Sequence, residues 1–240
     1  MMRLNLFIAK SGVTSRRKAD LLIKEGRVKV NSKIILSPGL KITQKDSVFL
    51  DKKELKIKQN LYFIFNKPKG VTSTTFDRFA KSKVIDFLPK DLFKKDKRIY
   101  PVGRLDKDSC GLLILTNDGN LCYEITHPKF SIEKEYFVKV RGQFNDKLCQ
   151  KANKGINDKG DKLAVDQIKI IKKDNLMTVC KVITHEGKKR HIRRIFESLG
   201  FFVLELKRVR IGRLNLGDIK PGKYKILSQE QIYSILFNKK

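Results

Sequence analysis

At 240 residues the chain is long enough to bury a full core, and the length suits one large domain with one small one. It carries 54 Lys and Arg against 25 Asp and Glu, a formal net charge of +29, and an excess that size points to a polyanionic partner through counterion release from phosphates. The composition argues against a zinc site, a disulfide framework and a membrane span: the four cysteines lack C-x-x-C spacing, the three histidines are not paired at ligand spacing, and no apolar run approaches bilayer length. Lysine supplies 40 of the cations and arginine 14, a usage that an AT-biased genome also produces. The arginines, with their rigid bidentate forks, are the better guide. They concentrate at Arg16-Arg17, at Arg190, Arg193 and Arg194, and at Arg208, Arg210 and Arg213. With no signal-peptide stretch at the N-terminus, a soluble cytoplasmic protein with reduced thiols is expected.

Leu4, Phe7 and Ile8 have helical spacing, and Ser11-Gly12 ends that first helix. Ser15 is placed to cap a second helix with Ala19, Leu22 and Ile23 inward, closed by Gly26. Val28 and Val30 alternate as a strand, Asn31-Ser32 turns, and Ile34-Ile35 return as a hairpin. Residues 51–60 (DKKELKIKQN) are polar and fit a linker. The boundaries are set at 1–55 for the first unit, 56–60 for the tether and 61–240 for the second unit. The second unit is strand-rich, with strands predicted at 62–65, 112–116, 135–140, 162–171, 176–184 and 201–210. Helices are predicted near 119–126, 144–153, 188–199 and 228–237. The lack of a regular βαβ alternation predicts an α+β domain on a mainly antiparallel sheet.

Two constellations stand out. Arg16-Arg17-Lys18 puts three cations in a helix's first turn, where they oppose the helix dipole. A solvated charge run accounts for them, and so does a phosphate contact at the helix N-terminus. The second is Gly103-Arg104-Leu105-Asp106, leading through Gly111 into an apolar strand and out at Asn117-Asp118-Gly119. A carboxylate on a loop pinned to a core strand is rigid enough for catalysis, and an Arg–Asp pair stabilising a turn fits the same residues.

The run G-R-L-D-x-x-x-x-G-L-L-I-L-T-N-D-G (103–119) resembles the signature of the pseudouridine synthases, in the branch acting on single sites of bacterial ribosomal RNA. The resemblance makes Asp106 the catalytic carboxylate and leaves Asp108 without a role. N-K-P-K-G (66–70) resembles the family's first motif, a structural loop beside the active site. K-E-Y-F-V (134–138) resembles the segment whose tyrosine, here Tyr136, lies against the target base; ordinary strand packing would otherwise explain that residue. In E-G-K-K-R-H-I-R-R-I-F (186–196), Ile192, Ile195, Phe196 and Leu199 share a helical face, with Arg190, Arg193 and Arg194 on its flanks. Arg193 aligns with the family's basic partner of the catalytic aspartate, while His191 stands where glutamine is common. The segment 206–223 resembles the family's close. The N-terminal order of helix, S-R-R-K helix and V-K-V-N hairpin resembles the alpha-L RNA-binding domain first known from a small-subunit ribosomal protein.

The resemblance implies isomerisation of a uridine to pseudouridine in a flipped-out nucleotide, with no cofactor and no metal. It makes Arg16, Arg17, Lys18, Arg104, Lys188, Lys189, Arg190 and Arg194 the candidate RNA contacts of a monomeric enzyme. The form of the 186–196 motif looks more like the large-subunit (23S) enzymes, with a target near the peptidyl-transferase region. The small-subunit (16S) enzyme is the alternative within the family. A non-catalytic ribosomal RNA-binding assembly factor is the alternative outside it. A methyltransferase would need a cofactor loop that the sequence does not show.

Overall fold

The computed structural model describes residues 1–91 and 98–237; the end of the second unit, 238–240, lies outside the described residues. In the N-terminal unit, β1 (Met2–Arg3) leads into α1 (Leu4–Lys10) and α2 (Arg16–Lys24). The strands β2 (Val28–Val30), β3 (Lys33–Ile34), β4 (Lys41–Ile42), β5 (Val48–Leu50) and β6 (Lys53–Glu54) follow. The antiparallel order is β3-β2-β5-β6, with β1 on β4. Ser15 caps α2 by accepting the Lys18 amide at 3.2 Å, a contact worth about 1 kcal/mol. Asn31 and Ser32 both take positive φ, 47° and 69°, the twist a two-residue hairpin turn needs. Leu4, Ile8, Ala19, Leu22, Ile23, Val28 and Val30 share one core with Leu55. The polar stretch 51–60 thus begins inside the folded unit. Lys53 and Glu54 pair with β5, because the buried Leu55 anchors that strand to the helices.

The second unit adds β7 (Tyr62–Lys67), β8 (Tyr100–Pro101), β9 (Cys110–Thr116), α3 (Gly119–Thr126), β10 (Lys134–Arg141) and α4 (Asp146–Lys154). Then come β11 (Ile156–Asp158), β12 (Asp161–Leu163), β13 (Gln167–Lys173), β14 (Met177–Thr184) and α5 (His191–Ser198). Last are β15 (Val203–Ile211), β16 (Leu214–Asn215), β17 (Tyr224–Leu227) and α6 (Gln229–Phe237). The central sheet runs β13-β14-β10-β15-β9-β7-β17, antiparallel except for β15 beside β9. On β7 and β9, alternate residues enter opposite cores. Phe63, Phe65, Leu113 and Leu115 join one with α5, while Tyr62, Ile64, Leu112 and Ile114 join the other with α3 and α6. Burial on both faces explains why these strands read as continuous apolar runs. Among the described residues no helix is long and apolar enough to cross a membrane.

Gly111 makes the parallel seam possible. It stands opposite Arg208 with φ +99°, and a Cβ there would lie 2.2 Å from the Arg208 carbonyl oxygen.

Two predicted elements need correction. The strand expected at 162–171 is two, β12 and β13. Between them the chain changes partners, β12 pairing with β11 and β13 with β14, and Ala164 accepts a hydrogen bond from His191. The helix expected at 188–199 begins at His191, because Arg190 takes left-handed backbone, φ 53°.

Candidate active site

The loop from Gly103 to Gly111 is held from several sides. Leu105 is buried in the core, and its backbone exchanges two hydrogen bonds with the Ser73 hydroxyl, at 2.8 and 3.2 Å. Lys67, fully buried at the end of β7, donates to the carbonyls of Ser109 (2.7 Å), Pro68 (3.0 Å) and Lys107 (3.3 Å). Burial pulls its pKa down to about 8. Those three acceptors replace the lost water around the ammonium. The Gly70 amide also bonds to the Lys107 carbonyl at 2.8 Å, and the Ser109 amide closes a turn on Asp106. A carboxylate carried on such a loop has little freedom to wander.

The loop forms one wall of a cleft of about 260 Å³. Gly103, Arg104, Leu105, Asp106 and Ser109 line this wall, Tyr136 and Leu206 come from β10 and β15, and Thr184 with residues 186–192 closes the far side. Among the described residues, no protein hydrogen bond engages the Asp106 carboxylate. Asp108, two residues on, does not line this cleft. Tyr136 is 8 % exposed, packed beside Val138 and Val140 with its remaining surface toward the cleft. Cations dominate the rim: Arg104, Lys188, Lys189 and Arg190 against Asp106 and Glu186. This is a site for an anionic ligand with one free carboxylate inside it.

Arg193 is not on a flank of α5 but buried, 5 % exposed. It donates to the backbone of Asp108 (3.1 Å) and Val203 (3.3 Å), with the Ser109 hydroxyl at 3.5 Å, while Nε has no hydrogen-bond partner among the described residues. No hydrogen bond joins it to the Asp106 carboxylate. Burial first and Arg190 second pull its pKa below the ordinary arginine value, while Asp108 and Asp106 lie near enough to oppose the shift.

The N-terminal 61–198 of the second unit matches the family described as RNA pseudouridylate synthase. The chain belongs to this family. Residues 2–48 match an S4 domain, the alpha-L module expected from the helix–helix–hairpin order. The ribosomal large subunit pseudouridine synthase B of Bacillus subtilis is 39% identical over 97% of this chain and 94% of its own length. An uncharacterized RNA pseudouridine synthase of Aquifex aeolicus is 38% identical over 96% of this chain and 92% of its own. A crystal structure of a pseudouridylate synthase superposes with a TM-score of 0.66, at 29% identity over 98% of this chain and all of the other.

In this pseudouridine synthase the residues expected at the site have different fates. Asp106, Tyr136, Arg104, Lys188, Lys189 and Arg190 meet at the cleft. Arg190 also pairs with Glu197 at 3.0 Å, and the Lys188 ammonium donates to the Lys162 carbonyl at 2.7 Å. Arg194, expected to reach RNA, is instead held by Asp158 and Asp161 of the β11–β12 hairpin. Its helical position was legible, but the acidic turn that packs there comes from 33 to 36 residues away. Arg16, Arg17 and Lys18 are all exposed on the S4 unit. Sequence reasoning missed Ser73, whose only signal is one hydroxyl in a T-S-T-T run, and Arg208, buried with Nε on the Leu112 carbonyl at 2.8 Å and Nη2 without a hydrogen-bond partner among the described residues. His191, the departure from the family pattern, is buried. Its Nε2 bonds to Ala164, and its Nδ1 stands 3.8 Å from Glu186.

Arg193 thus braces the loop rather than touching the carboxylate. Arg193→Ala is expected to lower the single-turnover rate at saturating RNA by about 100-fold, the scale of a 1 Å misplacement, with a much smaller loss of affinity. Arg193→Lys keeps the charge but cannot span both carbonyls, and should recover only part of the rate. A large loss of affinity at an unchanged rate would make Arg193 an RNA contact instead.

Proposed function

We propose that this chain converts a single uridine of large-subunit (23S) ribosomal RNA to pseudouridine, acting as a monomer in the cytoplasm. The observation that carries the chemistry is the Asp106 carboxylate, without a hydrogen bond among the described residues, inside a cation-rimmed cleft beside Tyr136. The reaction breaks the N-glycosidic bond, turns the base and joins C5 to the sugar. A carboxylate serves it by attacking the sugar or by removing a sugar proton, and the aim set by Ser73, Lys67 and Arg193 suits either route. Tyr136 supports the base and assists proton removal at C5. The cleft is too small for a helix of paired RNA, so the nucleotide enters flipped out, with Arg104, Lys188, Lys189 and Arg190 at its phosphates. Arg16, Arg17 and Lys18 hold the RNA backbone at a distance from the reacting base.

The large-subunit reading rests on the 186–196 motif and on the name of the Bacillus subtilis relative. Pseudouridine mapping of both ribosomal RNAs from a strain lacking the gene tests it. One 23S site is expected to disappear and to return with the wild-type gene. Loss of a 16S site alone overturns the substrate, and an unchanged map overturns the activity.

A further inference from the structure

Several rings of the second unit are exposed, and Tyr123, His127 and Phe130 are among them. Tyr123 on α3 is 47% exposed and Phe130, in the short turn after it, is 36% exposed. The three rings nevertheless touch. Centroids lie 4.7 Å apart for Tyr123 and His127, 5.6 Å for Tyr123 and Phe130, and 6.4 Å for His127 and Phe130. The Lys129 ammonium sits among them, 5.0 Å from the Tyr123 ring and 4.7 Å from the Phe130 ring. None of these four residues belongs to an apolar core cluster. The helix end also has other support, since the His127 amide bonds back to Tyr123 and the Thr126 hydroxyl to the Cys122 carbonyl. Closing the helix therefore does not require three rings and an ammonium.

The position of the group suggests its use. Thr126, in the last turn of the same helix, lies 3.5 Å from where a Cβ on Gly103 would be, and Gly103 opens the loop that carries Asp106. The helix that carries Tyr123 therefore packs against the start of the loop that walls the cleft.

We infer that Tyr123, His127, Lys129 and Phe130 form a second RNA contact, a platform for an unpaired base next to the target nucleotide, with the adjoining phosphate on Lys129. The inference rests on the reading of the substrate as RNA. Flipping one nucleotide strips its neighbour of a stacking partner, and exposed ring faces replace that partner whatever the neighbour's identity. An ammonium within the same group meets the phosphate that accompanies every base. A protein partner would be expected to bury a larger continuous apolar surface than this ring group offers.

The chain contains no tryptophan, so Phe130→Trp in the full-length protein is a single fluorescent reporter. The probe is ribosomal RNA from the deletion strain, which holds the target unmodified in whichever subunit carries it. Emission is expected to be quenched and to saturate with binding. The double variant Tyr123→Leu, Phe130→Leu keeps apolar bulk without ring faces and should bind this RNA between about 5- and about 100-fold more weakly. The loss should fall on affinity rather than on the single-turnover rate at saturating RNA, with the melting temperature near wild type. An unquenched reporter or an undiminished affinity overturns the inference. Quenching of the Phe130→Trp reporter together with wild-type protein that forms no pseudouridine would leave the platform standing and sink the enzymatic reading instead.

Discussion

Asp106→Asn is expected to abolish pseudouridine formation, lowering the single-turnover rate by more than about 10⁴-fold, while RNA affinity and melting temperature stay near wild type. The substitution keeps the volume of the side chain and removes only its charge and its nucleophile. Because no hydrogen bond from the described residues engages the carboxylate, no such contact is lost when an amide replaces it. The backbone contacts that hold the loop, from Ser73 to Leu105 and from Lys67 to Lys107 and Ser109, do not involve the side chain at 106. Turnover by the purified variant would move the chemistry to another group. A collapse of RNA binding would show instead that Asp106 organises the rim.

Gly111→Ala has the largest expected effect on stability. A Cβ at this position meets three backbone atoms of Arg208, at 2.2, 2.8 and 3.0 Å, and backbone cannot swing away as a flexible side chain can. The φ of +99° adds strain for any L side chain. Relief requires β9 and β15 to separate, and these two strands join the halves of the central sheet. A loss of more than about 4 kcal/mol is expected, which for a chain of this size corresponds to a fall in melting temperature of at least about 8 °C. Gly70→Ala is the internal control. Its φ is +88° but nothing lies within 4 Å of the added carbon, so the cost should be limited to about 1–2 kcal/mol of backbone strain. Equal melting curves for the two variants would mean that β9 and β15 do not meet in this register.

What the sequence made legible follows the range of the interactions. Ser15, the Asn31-Ser32 turn and the exit of the chain at Asn117-Asp118-Gly119 are decided within three residues of the chain, and each stands where the pattern put it, with Asp118 found to cap α3 there. Even so, the second oxygen of Asp118, which accepts Tyr62 and Tyr233, was hidden, because those tyrosines lie 56 and 115 residues away. The same limit applies at the cleft. A contiguous motif marked Asp106, and the family resemblance marked Tyr136. Ser73 acts across 32 residues and Arg193 across 85, so helical spacing could assign Arg193 to a flank but could not see the loop that buries it. Arg194 failed for the complementary reason, since nothing local announces that the β11–β12 hairpin will supply Asp158 and Asp161.

The manner in which the 103–111 loop is held has a consequence for how such a protein can vary. Lys67 and Arg193 grip it through the carbonyl oxygens of Lys107, Asp108 and Ser109, atoms that every residue type presents. Lys107 and Asp108 are themselves exposed. The clamps therefore recognise the path of the main chain and are blind to which side chains travel along it. Positions 107 and 108 are open to replacement by almost any residue, but the loop cannot be lengthened or shortened by even one, since a single insertion would present the wrong oxygen to both clamps and turn the carboxylate away from its target.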